Sequence, residues 1–69
     1  MSVAKYSVMI SGHRTSVSLE PEFWKEIKKL AAKENLPVSV LIAQIDKERD
    51  GNLSSALRVY VLNALKKGA

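Results

Sequence analysis

The chain has 69 residues, no cysteine and a formal net charge of +4, and 46% of its residues are hydrophobic. This length predicts one domain, and the lack of cysteine excludes a disulfide framework or a thiolate zinc site. The longest apolar runs are far shorter than the roughly 20 residues that cross a bilayer, so we expect a soluble cytoplasmic protein without a membrane partner. Because so small a domain buries little surface alone, the high apolar fraction predicts a homodimer, whose positive charge favours a polyanionic partner.

A flexible basic tail is expected over residues 1–5, followed by a first strand at about 6–10. Alternation of side chains places Tyr6, Val8 and Ile10 on one face of this strand. Ser11-Gly12-His13 suits a hairpin loop, because glycine adopts positive φ freely; a bent, continuous arm is the alternative.

The second strand, at about 14–19, has two chemically distinct faces. Alternation separates the polar side chains Arg14, Ser16 and Ser18 from Thr15, Val17 and Leu19. A lone strand of this length leaves its backbone donors and acceptors unpaired and buries too little surface. The strand therefore needs a pairing partner.

Three helices are predicted after the strands, at about 21–34, 39–50 and 53–66. The first begins at Glu20 or Pro21, since proline loses nothing at the first helical position, and runs to about Glu34, where Asn35-Leu36-Pro37 stops it. Ser39 is the predicted N-cap of the second helix, and Asn52 or Ser54 caps the third. The third helix carries a broad apolar band that requires cover. The single domain accordingly spans residues 6–66.

The order of strand, helix, turn and helix resembles the ribbon-helix-helix (Arc/MetJ-like) family of bacterial DNA-binding proteins. The most similar segments are Arg14-Thr15-Ser16-Val17-Ser18-Leu19, Leu30-Ala31-Ala32 and the run Asn35-Leu36-Pro37-Val38-Ser39-Val40-Leu41-Ile42. The whole chain is similar to a short bacterial subfamily with an extra C-terminal helix. The resemblance implies an α+β, mostly α fold, in which two chains pair their strands antiparallel and interlock their helices as an intertwined homodimer.

The resemblance also implies how DNA is held. A two-stranded ribbon enters the major groove, where Arg14, Ser16 and Ser18 occupy the positions that contact base edges. The N-terminal amides of the second helix, at Ser39 and Val40, are the implied phosphate contacts. Both roles are physically sound, because the major groove admits a β-ribbon and a helix N-terminus attracts anions.

Several other residues have a functional and a structural interpretation. His13 is a candidate phosphate contact or pH-sensitive group, and a turn residue with neither role is the alternative. Phe23 and Trp24 lie at helical spacing with Ile27, which favours the core over base stacking. The lysines of the first helix favour a solvated face over an electrostatic stripe, because glutamates interrupt them.

Catalysis and metal binding are not expected. Ser54-Ser55 lacks the surroundings of a nucleophile and is typical of a helix start. Asp46, Glu48 and Asp50 alternate as in a calcium loop, but the pattern is incomplete, so we expect no metal, cofactor or enzymatic activity.

The sequence thus predicts a sequence-specific DNA-binding protein, a transcriptional regulator such as a repressor, bound to double-stranded DNA as a cytoplasmic, nucleoid-associated homodimer. Two alternatives remain. One is a protein-interaction module, such as an antitoxin that holds a partner protein; the other is a dimeric scaffold that does not bind DNA.

Overall fold

The computed structural model describes residues 2–48 and 51–68. Two strands precede three helices in this part of the chain: β1 (Ala4–Ile10), β2 (His13–Leu19), α1 (Pro21–Lys33), α2 (Val38–Glu48) and α3 (Leu53–Gly68). The mixed, mostly helical class and the element order agree with the sequence analysis. The predicted end of the second helix, at residues 49–50, lies outside the described residues.

The two strands form an antiparallel hairpin within the chain, which confirms the hairpin and rules out the continuous arm. The pairing runs from Ala4 with Leu19 to Ile10 with His13, so the loop contains only Ser11 and Gly12. Both loop residues have positive φ, 51° and 80°, as the tight two-residue turns that match strand twist require. The loop is therefore one residue shorter than predicted, and His13 belongs to β2.

The hairpin has a buried and an exposed face. Four of its side chains are buried in the core: Val8, Ile10, Val17 and Leu19. β1 begins at Ala4 rather than at residue 6, because the alternation of the two faces already holds there. The predicted basic tail of residues 1–5 consequently contributes its last two residues to the strand.

The start and end of α1 follow local backbone chemistry. The Glu20 carbonyl accepts hydrogen bonds from the amides of Phe23 (3.0 Å) and Trp24 (3.1 Å), with Pro21 as the first helical residue. At the other end Asn35 adopts φ 58°, and its amide donates to the Ala32 carbonyl at 3.0 Å. The Leu36 amide donates to the Ala31 carbonyl at 2.9 Å, which completes a Schellman closure with asparagine in place of the usual glycine. This confirms the predicted stop, although α1 ends at Lys33 rather than at residue 34.

The predicted N-cap of α2 is wrong by two residues. The Pro37 carbonyl accepts hydrogen bonds from the amides of Val40 (3.0 Å) and Leu41 (3.2 Å), so Pro37 holds the cap position. Ser39 already lies in the first helical turn. The prediction relied on a side-chain oxygen at the cap, whereas this helix begins from a backbone carbonyl alone.

The cap of α3 is Asn52. Its side-chain Oδ1 accepts a hydrogen bond from the Ser55 amide at 3.0 Å, and its carbonyl accepts one from the Ala56 amide at 3.0 Å. Ser54, the other candidate, lies inside the helix, which continues to Gly68 and passes the predicted end at residue 66.

One core joins all five elements. The six largest fully buried side chains come from β2 and from each helix: Val17, Leu19, Ile27, Ile42, Leu57 and Val61. Two of them belong to α3, so the apolar band of the third helix is covered in part by its own chain. Phe23 and Trp24 are half-buried against this core, as predicted, and the Trp24 ring stacks on Tyr6 with centroids 4.3 Å apart.

Candidate nucleic-acid interface

The exposed face of the hairpin gathers six side chains from two strands. β2 contributes Arg14, Ser16 and Ser18, as the sequence predicts. β1 contributes Lys5, Ser7 and Met9, which the register pairs with Ser18, Ser16 and Arg14 respectively. Five of the six side chains are exposed, and Ser18 is half-buried. The β1 side chains were missed because Met9 interrupts the polar alternation and Lys5 was assigned to a tail.

The cations on this face are not neutralised by neighbours. Among the described residues, neither Lys5 nor Arg14 forms an ion pair. A guanidinium on an exposed strand face keeps its donor fork available for a ligand. The face therefore offers two cationic groups and three hydroxyl groups to solvent.

The outer edge of β2 contacts α3. The Ser18 amide donates a hydrogen bond to Ser54 Oγ at 3.3 Å. Ser18 faces Lys5 across the hairpin, at a pair where the amides point away from the partner strand. The Ser54 hydroxyl thus accepts a hydrogen bond from a backbone amide at the outer edge of β2. No local sequence rule indicates this tertiary contact.

His13 lies apart from Arg14. Strand alternation assigns its side chain to the face of Thr15 and Val17, although at the end of the hairpin it is exposed. It lines a shallow cavity of about 370 Å³ together with Asp46 and Leu53. The structure therefore places His13 at the tip of the hairpin, beside the end of α2.

At the start of α2, Ser39 is half-buried and Val40 is exposed. The Val40 amide already bonds to Pro37, whereas the amides of Val38 and Ser39 donate no hydrogen bond within the described chain. The first turn carries no acidic residue. These donors and the positive end of the helix dipole are thus compatible with an anion.

An ion pair lies where the hairpin joins the helices. Glu20 Oε1 accepts a hydrogen bond from Arg58 Nε at 3.0 Å, and the Arg58 guanidinium lies 6.0 Å from the centroid of the Phe23 ring. The pKa of the Glu20 carboxyl is lowered, mainly because its own backbone amide donates to it and next because Arg58 does. The acidic group closest in sequence to the ribbon is therefore compensated within the protein.

The helical side of the molecule carries an open groove. It lies between α2 and α3, has a volume of about 600 Å³, and is lined by apolar side chains such as Ile45 and Val59 and by polar ones such as Gln44 and Glu48. Val59 and Leu62 on α3 and Val40 on α2 are large apolar side chains left 40% or more exposed. We call Val40, Val59 and Leu62 the apolar row.

The remaining predictions for α1 and α2 concern charged side chains. The lysines of α1 are exposed, and Lys29 pairs with Glu26 at 3.5 Å, which agrees with a solvated face. In the described ranges, no three potential metal ligands come together. Asp50 is outside those ranges, and no helix within them is long and apolar enough to cross a membrane.

A two-stranded antiparallel hairpin packed on three helices, with one polar face exposed, defines a small α+β domain. The family model of the ribbon-helix-helix domain matches residues 3–65, and the chain belongs to this family. No curated protein and no solved structure matches the chain.

Proposed function

We propose that the protein is a sequence-specific DNA-binding protein, a bacterial transcriptional regulator without catalytic activity that acts on the nucleoid in the cytoplasm. The observation that supports this most is the exposed hairpin face, on which Arg14 has no ion-pair partner among the described residues. The net charge of +4 and membership of the ribbon-helix-helix family support the same function.

Each site residue has a physical role in this proposal. Arg14 pairs bidentately with guanine O6 and N7, and Ser16 and Ser18 make adaptable contacts to neighbouring base edges. Ser39 holds a phosphate at the start of α2, because its amide is an unbonded donor, whereas the amide of Val40 is already bonded to Pro37. His13, exposed at the hairpin tip, is a flanking phosphate contact. Base contacts set the preference, and phosphate contacts set the position.

A homodimer is part of this function. The apolar row leaves three large apolar side chains 40% or more exposed, next to an open groove between α2 and α3. A second copy that covers this surface would supply the stability that a single small core lacks. Coupled folding and association predict a thermal midpoint that rises with protein concentration, measured by circular dichroism over a hundredfold dilution. A midpoint that does not change with concentration would contradict the dimer.

The same apolar surface favours one alternative, a protein-interaction module such as an antitoxin, in which the row holds a different protein. Substitution of Leu62 with Glu separates the two cases. Loss of self-association, seen in sedimentation, supports the homodimer. Unchanged self-association would exclude the row from the homodimer interface and leave it free for another protein.

DNA reading is tested by three proteins: the wild type, Arg14→Ala and Arg14→Lys. Selection of bound duplexes from random DNA at physiological salt gives the sequence preference, and titration of the selected duplex gives affinity. Arg14→Ala should weaken specific binding by about 1–3 kcal/mol and relax preference at one base pair.

Arg14→Lys is the matched control, because it keeps the charge but loses the bidentate fork. It should retain most non-specific affinity and still lose preference at that base pair. If folded Arg14→Ala kept both affinity and preference, the ribbon would not read DNA, and a scaffold that does not bind DNA would explain the protein better.

A further inference from the structure

Two members of the apolar row lie on one line along α3. Val59 and Leu62 are three residues apart, so they are neighbours on the helix surface, and they are 54% and 53% exposed. The line continues by one turn in each direction, to Ser55 before Val59 and to Lys66 after Leu62, and both of these residues are exposed. This line, which we call the α3 ridge, therefore has an apolar centre, a hydroxyl group at one end and a cation at the other.

The groove beside the α3 ridge suits a second helix. Its α3 side includes the small side chain of Ala56, and its α2 side includes Leu41 and Ile45. In the described part of the chain, Glu48 is the only charged residue that lines the groove, and it forms no ion pair there. Helices of a bundle pack by inserting the ridge of one helix into the groove of its neighbours. The groove thus fits a helix with an apolar ridge and a cationic end.

The α3 ridge of a second copy has this pattern. We infer that the α3 helices of two copies pack antiparallel, with the ridge of each chain in the groove of the other. This inference rests on the proposed homodimer and names its helical contact. With the two-fold axis midway between Val59 and Leu62, Leu62 faces the partner's Val59, and the reverse contact follows by symmetry.

The same axis brings opposite charges together. Lys66 lies as far after the midpoint of the ridge as Ser55 lies before it, so Lys66 of one chain is placed beside the partner's Ser55. Ser55 and Glu48 line the same groove, and Lys66 forms no ion pair among the described residues. Lys66 of each chain therefore pairs with Glu48 of the other. This contact uses helical side chains alone and leaves the edges of the hairpin to the strand pairing that the family resemblance implies.

Reversal of these charges tests the contact between chains. Within one chain Lys66 lies about 16 Å beyond Ser55 along α3, at roughly 1.5 Å per residue, so it does not reach the Glu48 of its own chain. Glu48→Lys and Lys66→Glu should each raise the dissociation constant of the dimer about tenfold, because each brings like charges together at two symmetric contacts. Sedimentation equilibrium at low salt, where screening is weak, measures these constants.

An equimolar mixture of the two variants should restore association to within about threefold of the wild type. In a mixed dimer the introduced lysine of one chain faces the introduced glutamate of the other, and the second contact is the natural one. Lys28→Glu is the matched control, since it makes the same charge change on the exposed face of α1. Its mixture with Glu48→Lys should not restore association. A mixture of Glu48→Lys and Lys66→Glu that associates no more tightly than either variant alone would overturn the inference.

Cross-linking tests the apolar centre of the α3 ridge independently, since the natural chain has no cysteine. Leu62 and Leu65 are 53% and 51% exposed on the same helix, and only Leu62 lies on the ridge. The proposed packing offsets Leu62 from its copy in the partner by three residues, or about 4.5 Å along the helix. A short bismaleimide should therefore link chains of Leu62→Cys about tenfold faster than chains of Leu65→Cys, because only the former thiols are held close together. Equal rates would contradict the packing.

The outcomes separate this inference from the proposed function. If the wild type is a dimer in sedimentation, but charge reversal and the position of the cysteine make no difference, the homodimer stands and the α3 contact is wrong. If the wild type stays monomeric at every concentration, the proposed homodimer fails together with the inference. Selection of DNA with Arg14→Ala tests the reading of DNA in either case.

Discussion

Leu57 is the residue whose replacement best tests the place of α3 in the fold. Its side chain is 0% exposed and lies in the same core as Leu19 and Ile42. Leu57→Ala removes three carbon groups, which at about 0.8 kcal/mol each amounts to about 2.4 kcal/mol of transfer free energy. The cavity left behind adds to this, so we expect a total cost of about 2–5 kcal/mol. That is a large fraction of the stability of so small a domain.

Leu65→Ala is the matched control, because it makes the same change on the same helix where the side chain is 51% exposed. It should cost less than about 0.5 kcal/mol. The free energies of unfolding are measured by urea titration, followed by far-UV circular dichroism at one fixed protein concentration, since association contributes to stability. Val61→Ala, at a residue 1% exposed, removes two carbon groups and should cost about 1.6 kcal/mol, which remains measurable if Leu57→Ala does not fold.

Equal costs for Leu57→Ala and Leu65→Ala would refute the packing of α3. The third helix would then be only loosely attached in solution, and a role as a docking element for another protein would gain support.

Asn52→Ala should destabilise the protein by about 1 kcal/mol because it removes the cap of α3. Ser39→Ala should change the free energy of unfolding by less than about 0.5 kcal/mol because Ser39 lies inside the first turn of α2. The urea midpoints of the two variants test this difference. Asn35→Ala should lower the free energy of unfolding by about 1–2 kcal/mol because φ of residue 35 is 58°, whereas Asn35→Gly should be tolerated. Equal thermal midpoints for the two variants would contradict the left-handed cap of α1. Since the pKa of Glu20 is lowered in the folded protein, its contribution to stability is present above the unfolded pKa and is lost as the pH falls through the folded pKa. Acid titration of unfolding should therefore show a steeper loss for the wild type than for Glu20→Gln, and parallel curves would exclude a stabilising contribution of the Glu20 carboxylate.

The sequence predicted the elements well because their signals are local. Alternation marked both strands, Pro21 marked the start of α1, and Asn35 marked its left-handed end. The loop length was wrong because Gly12 and Ser11 both adopt positive φ, and serine gives no sign of this in the sequence.

The sequence predicted the β2 side of the exposed hairpin face but not its β1 side, because the β1 side depends on tertiary structure. Alternation places Arg14, Ser16 and Ser18 on one face of β2, and the contact of these side chains with DNA stays a prediction. The partners from β1 require the exact strand pairing, and the Ser18–Ser54 contact joins residues 36 positions apart. Local rules assign Ser54 to a helix cap and cannot place its hydroxyl at a strand edge.

The stack of Tyr6 on Trp24 provides an optical signal inside the protein. Trp24 is the only tryptophan of the chain, and its ring lies nearly parallel to a tyrosine of β1, with an angle of 6° between the planes. Separation of the hairpin from α1 would change the polarity around the indole and therefore its emission. The intrinsic fluorescence of the wild-type protein, without a label, can therefore show whether the hairpin remains packed on the helices or moves when a ligand binds.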